Sequence, residues 1–184
     1  MNIKARIFAR KIVLLYFYEQ YFVFLAWENK QMIEEINKVS DALDPVHSDA
    51  YVAVDIQKKF ENYYEHVDYE ISYIIQQHFS NIAKADIDFS YIETVAPHFF
   101  DYLWPVEQLV NQFTTSFVFA EMDIMDRVIF VLWYVEYVLL QTPKQVVINE
   151  MIELAKRYWD EASPKLINGI GHKVLSSYDW KNNE

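Results

Sequence analysis

Two proline-punctuated amphipathic helices close this chain, and they constrain its fold more than any other stretch. Thr142-Pro143-Lys144-Gln145 has the form of a capping box, with Thr142 as N-cap, Pro143 at the first helical position and Gln145 three residues after the cap. Ser163-Pro164 opens the next helix in the same way. Between these signals Val147, Met151, Leu154 and Tyr158 step by four, three and four, which is one face of a helix. Ile148, Ile152, Ala155 and Trp159 widen that face. Asn149, Glu153 and Lys156 fall elsewhere, and Glu153 with Arg157 is predicted to form an i,i+4 pair worth a few tenths of a kcal/mol.

The rest of the chain also reads as helix. Only two Gly and five Pro interrupt 184 residues, and strand alternation is nowhere sustained. Helices are predicted over 5–28, 30–39, 48–64, 68–83, 88–104, 105–120, 124–141, 143–159 and 164–178. Pro97 is expected to kink or break the fifth, and Pro105 to open the sixth. Residues 12–17 are apolar on nearly all sides, so the first helix should be central. The fold class is all-α, a compact helical bundle. The length suits one domain, and 53% hydrophobic residues supply its core. Gly169 lies inside a predicted helix, where glycine costs about 1 kcal/mol relative to alanine. Close backbone packing is the expected reason.

Composition excludes several functions. With no Cys there are no disulfides and no thiolate metal sites. No His lies in an E-x-x-H or H-x-x-x-H arrangement. Glu61, Glu65, Asp68 and Glu70 around His66 are the nearest approach to a metal site and read better as a solvated helix face. There is no glycine-rich phosphate loop and no marked nucleophile, so neither an enzyme nor a cofactor is signalled. No signal peptide is read, and the apolar runs 12–27 and 128–140 are short and interrupted by Glu19 and Glu136. A cytoplasmic protein without membrane attachment is expected.

Net charge is −11, which argues against nucleic-acid binding by the whole surface. Its distribution is uneven. Lys4, Arg6, Arg10 and Lys11 occupy the first eleven residues with no acid among them, which leaves −15 on the remainder. Arg6 and Arg10 are i,i+4 neighbours, and Lys4 and Lys11 are seven apart, so each pair shares a helix face. This basic tip suits local anion binding, and equally suits ordinary solvated charges. Four phosphate contacts to a single strand would give a salt slope of about −2.8, a roughly fifty-fold loss between 50 and 200 mM salt. Such binding becomes useful through a co-binding partner.

The closing helices carry a family resemblance. Ile148-Asn149-Glu150, Glu153-Leu154-Ala155-Lys156, Ser163, Lys165 and Ile167-Asn168-Gly169 resemble the C-terminal core of the NusB family of transcription antitermination factors. Asp126-Arg127-Val128-Ile129 and Glu136 resemble an upstream helix of that family. Ala9-Arg10 with Tyr18 resembles its opening. The resemblance implies two small helical subdomains, here 1–116 and 117–184 within one compact domain, with an insertion around 29–65. Tyr51, Tyr63 and Tyr64 in that region either pad extra core or form a partner surface. It also implies a non-catalytic, RNA-binding antitermination or termination factor. Such a factor acts with a small-subunit ribosomal protein, NusE, on boxA-like single-stranded RNA within the transcription elongation complex during ribosomal RNA synthesis. Carried onto this chain, the RNA-binding residues are Lys4, Arg6, Arg10, Lys11, Ser163 and Lys165, and the partner-binding residues are Tyr18 and Asp126.

Each residue also has a structural reading. Tyr18 suits half-buried packing, Asp126 suits the positive end of its helix, Ser163 is a cap, and Lys165 is an ordinary surface lysine. The chain departs from the family at Leu166 (commonly Phe), Ala162 (an acid), Trp159 (Gly), Val131 (often Arg) and Leu15 (Gln). Trp159 is a candidate replacement stacking platform. Core positions are kept while several polar or stacking groups are not. That is the case for the alternative, a NusB-like helical protein-interaction module that has lost RNA binding. A third reading, the accessory domain of an RNA-modifying enzyme, would require a cofactor-binding domain.

Overall fold

A computed structural model of the chain describes residues 2–28, 63–115, 117–158 and 163–177, all in helices or the turns between them. The predicted helix over 30–39, that over 48–64 except its last two residues, the insertion up to residue 62, Tyr51, Trp159 and Ala162 lie outside the described residues, as do the side chains of Tyr63 and Tyr64. The described elements are α1 (Ile3–Glu28), α2 (Tyr63–His78), α3 (Phe89–Val95), α4 (Phe99–Phe113), α5 (Ile124–Leu140), α6 (Lys144–Tyr158) and α7 (Ser163–Ser177). Short 3-10 turns sit at Lys84–Asp86, Ala96–His98 and Phe119–Glu121.

The centre of the molecule is α5. Every residue from Val128 to Tyr137 is buried, so this helix is enclosed on all sides. It packs against α1, α3, α4, α6 and α7. The second central helix is α1, where Ile12, Val13, Leu14, Tyr16 and Phe17 are buried as their unbroken apolar run requires. One hydrophobic cluster runs from Ala9 on α1 through Phe99 and Trp133 to Leu175, continuous across the expected boundary near residue 116.

Helix ends follow local chemistry. Asn2 Oδ1 accepts from the backbone N–H groups of Lys4 and Ala5 at 3.1 and 3.3 Å and caps α1. Asp88 caps α3 by accepting from the Tyr91 backbone N–H at 3.1 Å. The helix expected over 68–83 is shifted upstream and ends at His78, where Ser80 and Asn81 form a turn. At the end of α5, Gln141 adopts a left-handed conformation (φ 50°, ψ 35°). A side chain bearing a Cβ pays about 1 kcal/mol there, so Gln141→Gly is expected to raise stability by about that amount in chemical denaturation. An unchanged or lowered denaturation midpoint would refute it.

Pro97 breaks the chain as expected, the turn Ala96–His98 separating α3 from α4. Pro105 behaves differently from expectation: it lies inside α4 rather than opening a helix. Proline cannot donate the helical bond to the Asp101 carbonyl, and both residues are solvent-exposed, where water can reach that carbonyl.

Of the face anticipated on α6, Val147, Ile148, Met151, Leu154 and Ala155 are buried and Ile152 is half-buried, the Tyr158 side chain lies outside the described residues, and Asn149, Glu153 and Lys156 are exposed. The anticipated Glu153–Arg157 pair is replaced by Glu153–Lys156, three residues apart at 2.7 Å. The expectation for Gly169 is also corrected. A Cβ built there meets nothing within 4 Å, whereas one at Gly171 lies 3.1 Å from Cζ2 of the buried Trp133. The glycine that allows close approach is Gly171.

Candidate nucleic-acid interface

The basic start of α1 divides into four different environments. Lys4 is exposed, with Asp86 4.0 Å away. Arg6 donates from Nε to Asp88 Oδ2 at 2.9 Å, and its guanidinium lies 4.6 Å from the centre of the Tyr91 ring. Asp88 therefore serves both as the cap of α3 and as the counter-ion of Arg6. Lys11 is buried, 8% exposed, and has Phe8 as a cation–π neighbour at 5.3 Å. Burial, and then the charge of Arg157, lower its amine pKa from the usual lysine value.

Arg10 is part of the core. Its Nε and Nη2 donate to the two carboxylate oxygens of Glu136 on α5, at 2.9 and 2.7 Å, a bidentate pair. Its Nη1 donates to Glu150 Oε2 on α6 at 2.9 Å. The buried Tyr91 hydroxyl on α3 donates to Glu136 Oε2 at 2.9 Å. Burial alone would lower the guanidinium pKa, but the hydrogen bond and charge of Glu136, with Tyr91 and Glu150, hold it above the ordinary value. Burial and the Glu136 charge likewise push the Tyr91 hydroxyl well up, so it stays protonated and donates. Arg10 was expected to touch RNA. Instead it is 4% exposed and engaged with two carboxylates, so its role here is to join α1, α5 and α6.

The other sequence-selected residues also divide. Lys165 is exposed on the first turn of α7. Ser163 is buried where that helix begins, so it presents no surface to RNA. Leu166, at the position expected to be aromatic, is half-buried against the core. Tyr18 is half-buried and packs on the core, in keeping with its structural reading. Asp126 is only 4% exposed in the first turn of α5, where a negative charge complements the helix dipole. This burial removes it from any surface that this conformation offers a partner.

Lys156 and Arg157 are candidate binding groups that the sequence pattern alone does not single out. They end α6 and meet Lys11 in a cleft of about 450 Å³ that also exposes Glu150 and Glu153. Their adjacency in the last turn was the available signal. Among the described residues no group of three or more His, Asp or Glu side chains could hold a metal ion. No helix among them is long and apolar enough to cross a membrane.

The NusB family profile matches residues 46–176, which is more than two thirds of the chain. The chain belongs to the NusB family. Among relatives, the transcription antitermination protein NusB of Cyanothece sp. is 37% identical over 70 residues, covering 38% of this chain and 34% of that protein. The protein of the same name from Campylobacter jejuni is 36% identical over 70 residues, covering 38% and 53%. The matched segment thus spans between a third and about half of these relatives' length. A crystal form of T. maritima NusB superposes with a TM-score of 0.48 at 23% identity, over 67% of this chain and 86% of that one. The N-terminal cations precede the family match, whereas the ends of α6 and α7 that carry Lys156, Arg157 and Lys165 fall within it.

Proposed function

We propose that this NusB-family chain is a non-catalytic transcription antitermination factor that binds single-stranded, boxA-like RNA together with a small-subunit ribosomal protein (NusE). The observation that carries this reading, beyond family membership, is the cleft where the first turns of α1 meet the end of α6. There the exposed Lys156 and Arg157 gather beside the buried Lys11, with Glu150 and Glu153 also lining the cleft, on a chain of net charge −11. A local cationic surface on an acidic body favours one path for a phosphate backbone and repels it elsewhere. Lys4 and Lys165 are exposed cations that extend the candidate surface.

The test is binding of a boxA-like oligoribonucleotide, with and without the ribosomal protein, at 50 and 200 mM salt. Replacing both Lys156 and Arg157 by Gln is expected to weaken binding about tenfold or more and to reduce the single-strand salt slope by about 1.4. Equal affinity and equal slope in the double variant would reject the interface.

A second reading, a protein-interaction module without RNA binding, is favoured by a different surface. Phe22 on α1 and Tyr69 and Tyr73 on α2 are exposed large hydrophobics lining one groove with Glu19. Pull-down of the ribosomal protein with no RNA affinity under any condition would select it.

A further inference from the structure

We propose that the groove between α1 and α2 is a receptor site for a linear aliphatic polyammonium ion, held by aromatic faces and two carboxylates. The site does not rest on the RNA-binding reading, and it begins more than two helical turns along α1 from Lys11. α1 contributes Glu19, Phe22 and Val23, whose spacings of three and four put them on one face. α2 contributes Tyr69, Glu70 and Tyr73, so each wall brings one carboxylate and at least one ring. The groove holds about 370 Å³. Its rings face solvent: Phe22, Tyr69 and Tyr73 are 40%, 74% and 52% exposed. Among the described residues none of the three makes a ring contact or a side-chain hydrogen bond. Exposed ring faces carry negative potential and attract a cation.

The charge of the groove has the matching sign. Glu70 is buried and accepts a hydrogen bond from Gln20, whose neutral amide orients the carboxylate without cancelling its charge. At that low-dielectric position a carboxylate attracts a cation more strongly than an exposed acid does. Glu19, half-buried on the opposite wall, is the second such group. No Lys, Arg or His is among the described residues that line the groove. A compact metal ion does not suit this lining, because hard cations need more oxygen ligands than two carboxylates supply. A neutral apolar ligand would cover Glu70 without compensating it. An aliphatic chain bearing separated ammonium groups meets both demands. Its methylenes rest on Phe22 and Val23, and its charges meet the carboxylates and the tyrosine faces.

The full chain is to be titrated calorimetrically with spermidine, and with hexanediol as an uncharged aliphatic control, at about 0.15 M ionic strength, where the pull of exposed acids is screened. Saturable one-to-one binding of spermidine is expected, with none of hexanediol. Tyr69 and Tyr73 are exposed enough for both to be replaced by Ala with the fold intact, and this double variant is expected to bind spermidine about tenfold more weakly. Replacing both by Phe keeps the ring faces and should keep the affinity. Glu70→Gln should weaken binding by a comparable factor. Glu93→Gln removes an exposed acid on α3, outside the groove, and should change nothing. Full affinity in the double Ala variant, or equal losses from Glu70→Gln and Glu93→Gln, would mean diffuse attraction to an acidic chain and would overturn the site. Spermidine that fails to saturate overturns it as well. So does hexanediol binding as tightly as spermidine, which would leave an apolar surface of the kind a protein partner covers.

Discussion

Glu136→Ala is expected to lower the stability of the chain by about 3–5 kcal/mol, the cost of leaving a buried partner charge uncompensated. Glu136 has no solvent exposure and accepts three hydrogen bonds, two from Arg10 and one from Tyr91. Its removal strands a buried guanidinium and a buried phenol together. Glu150 still holds one edge of Arg10, but its side chain is 30% exposed and replaces only part of the lost interaction. For a chain of this size a change of that magnitude moves the melting temperature by roughly 10 °C. The double variant Arg10→Met, Glu136→Leu is expected to be more stable than Glu136→Ala, because an apolar pair removes both desolvation penalties. Melting of Glu136→Ala within a degree or two of the parent would show that the network is not a structural clamp.

That network explains why the functional reading of the N-terminus was less legible than the fold. Helical periodicity is local, so the buried face of α6 and the burial of 12–17 could be read from spacing alone. The partner of Arg10 lies 126 residues away, and no local pattern links the two. The four cations without acids suit a basic tip as much as ordinary solvated charges, and Asp88, Glu136 and Glu150 divide them. Lys4 and Lys11 do share a face, but the end of α6 meets only the second. Pro105 was misread for a related reason: whether a helix tolerates proline depends on whether water reaches the freed carbonyl, which follows from tertiary packing. Of the residues that carry the family resemblance in the closing helices, Ile148, Leu154, Ala155, Ser163 and Ile167 are buried, whereas the polar positions Asn149, Glu153, Lys156, Lys165 and Asn168 are exposed.

Gly171 supplies the second large effect. On α7 its missing side chain leaves room for the indole of Trp133, which is fully buried and set edge-on to Phe130 at 5.6 Å. Two opposing effects decide the outcome of substitution. Alanine gains about 1 kcal/mol in helix propensity over glycine. Its Cβ, however, sits 3.1 Å from a ring carbon, so the indole must shift by a few tenths of an ångström within a close-packed core. For Gly171→Ala these effects nearly cancel. Gly171→Leu adds three further carbons with nowhere to go, and overpacking of this kind costs about 1–3 kcal/mol or more. Two residues earlier the balance reverses. Gly169 is exposed, has ordinary helical φ and meets nothing, so Gly169→Ala should gain up to about 1 kcal/mol. Urea denaturation of Gly171→Leu, Gly171→Ala and Gly169→Ala should therefore give a clearly lowered, a near-parental and a raised midpoint. A tolerated leucine at 171 would mean that Trp133 has space to move, and a destabilising alanine at 169 would restore the packing role first expected of that glycine.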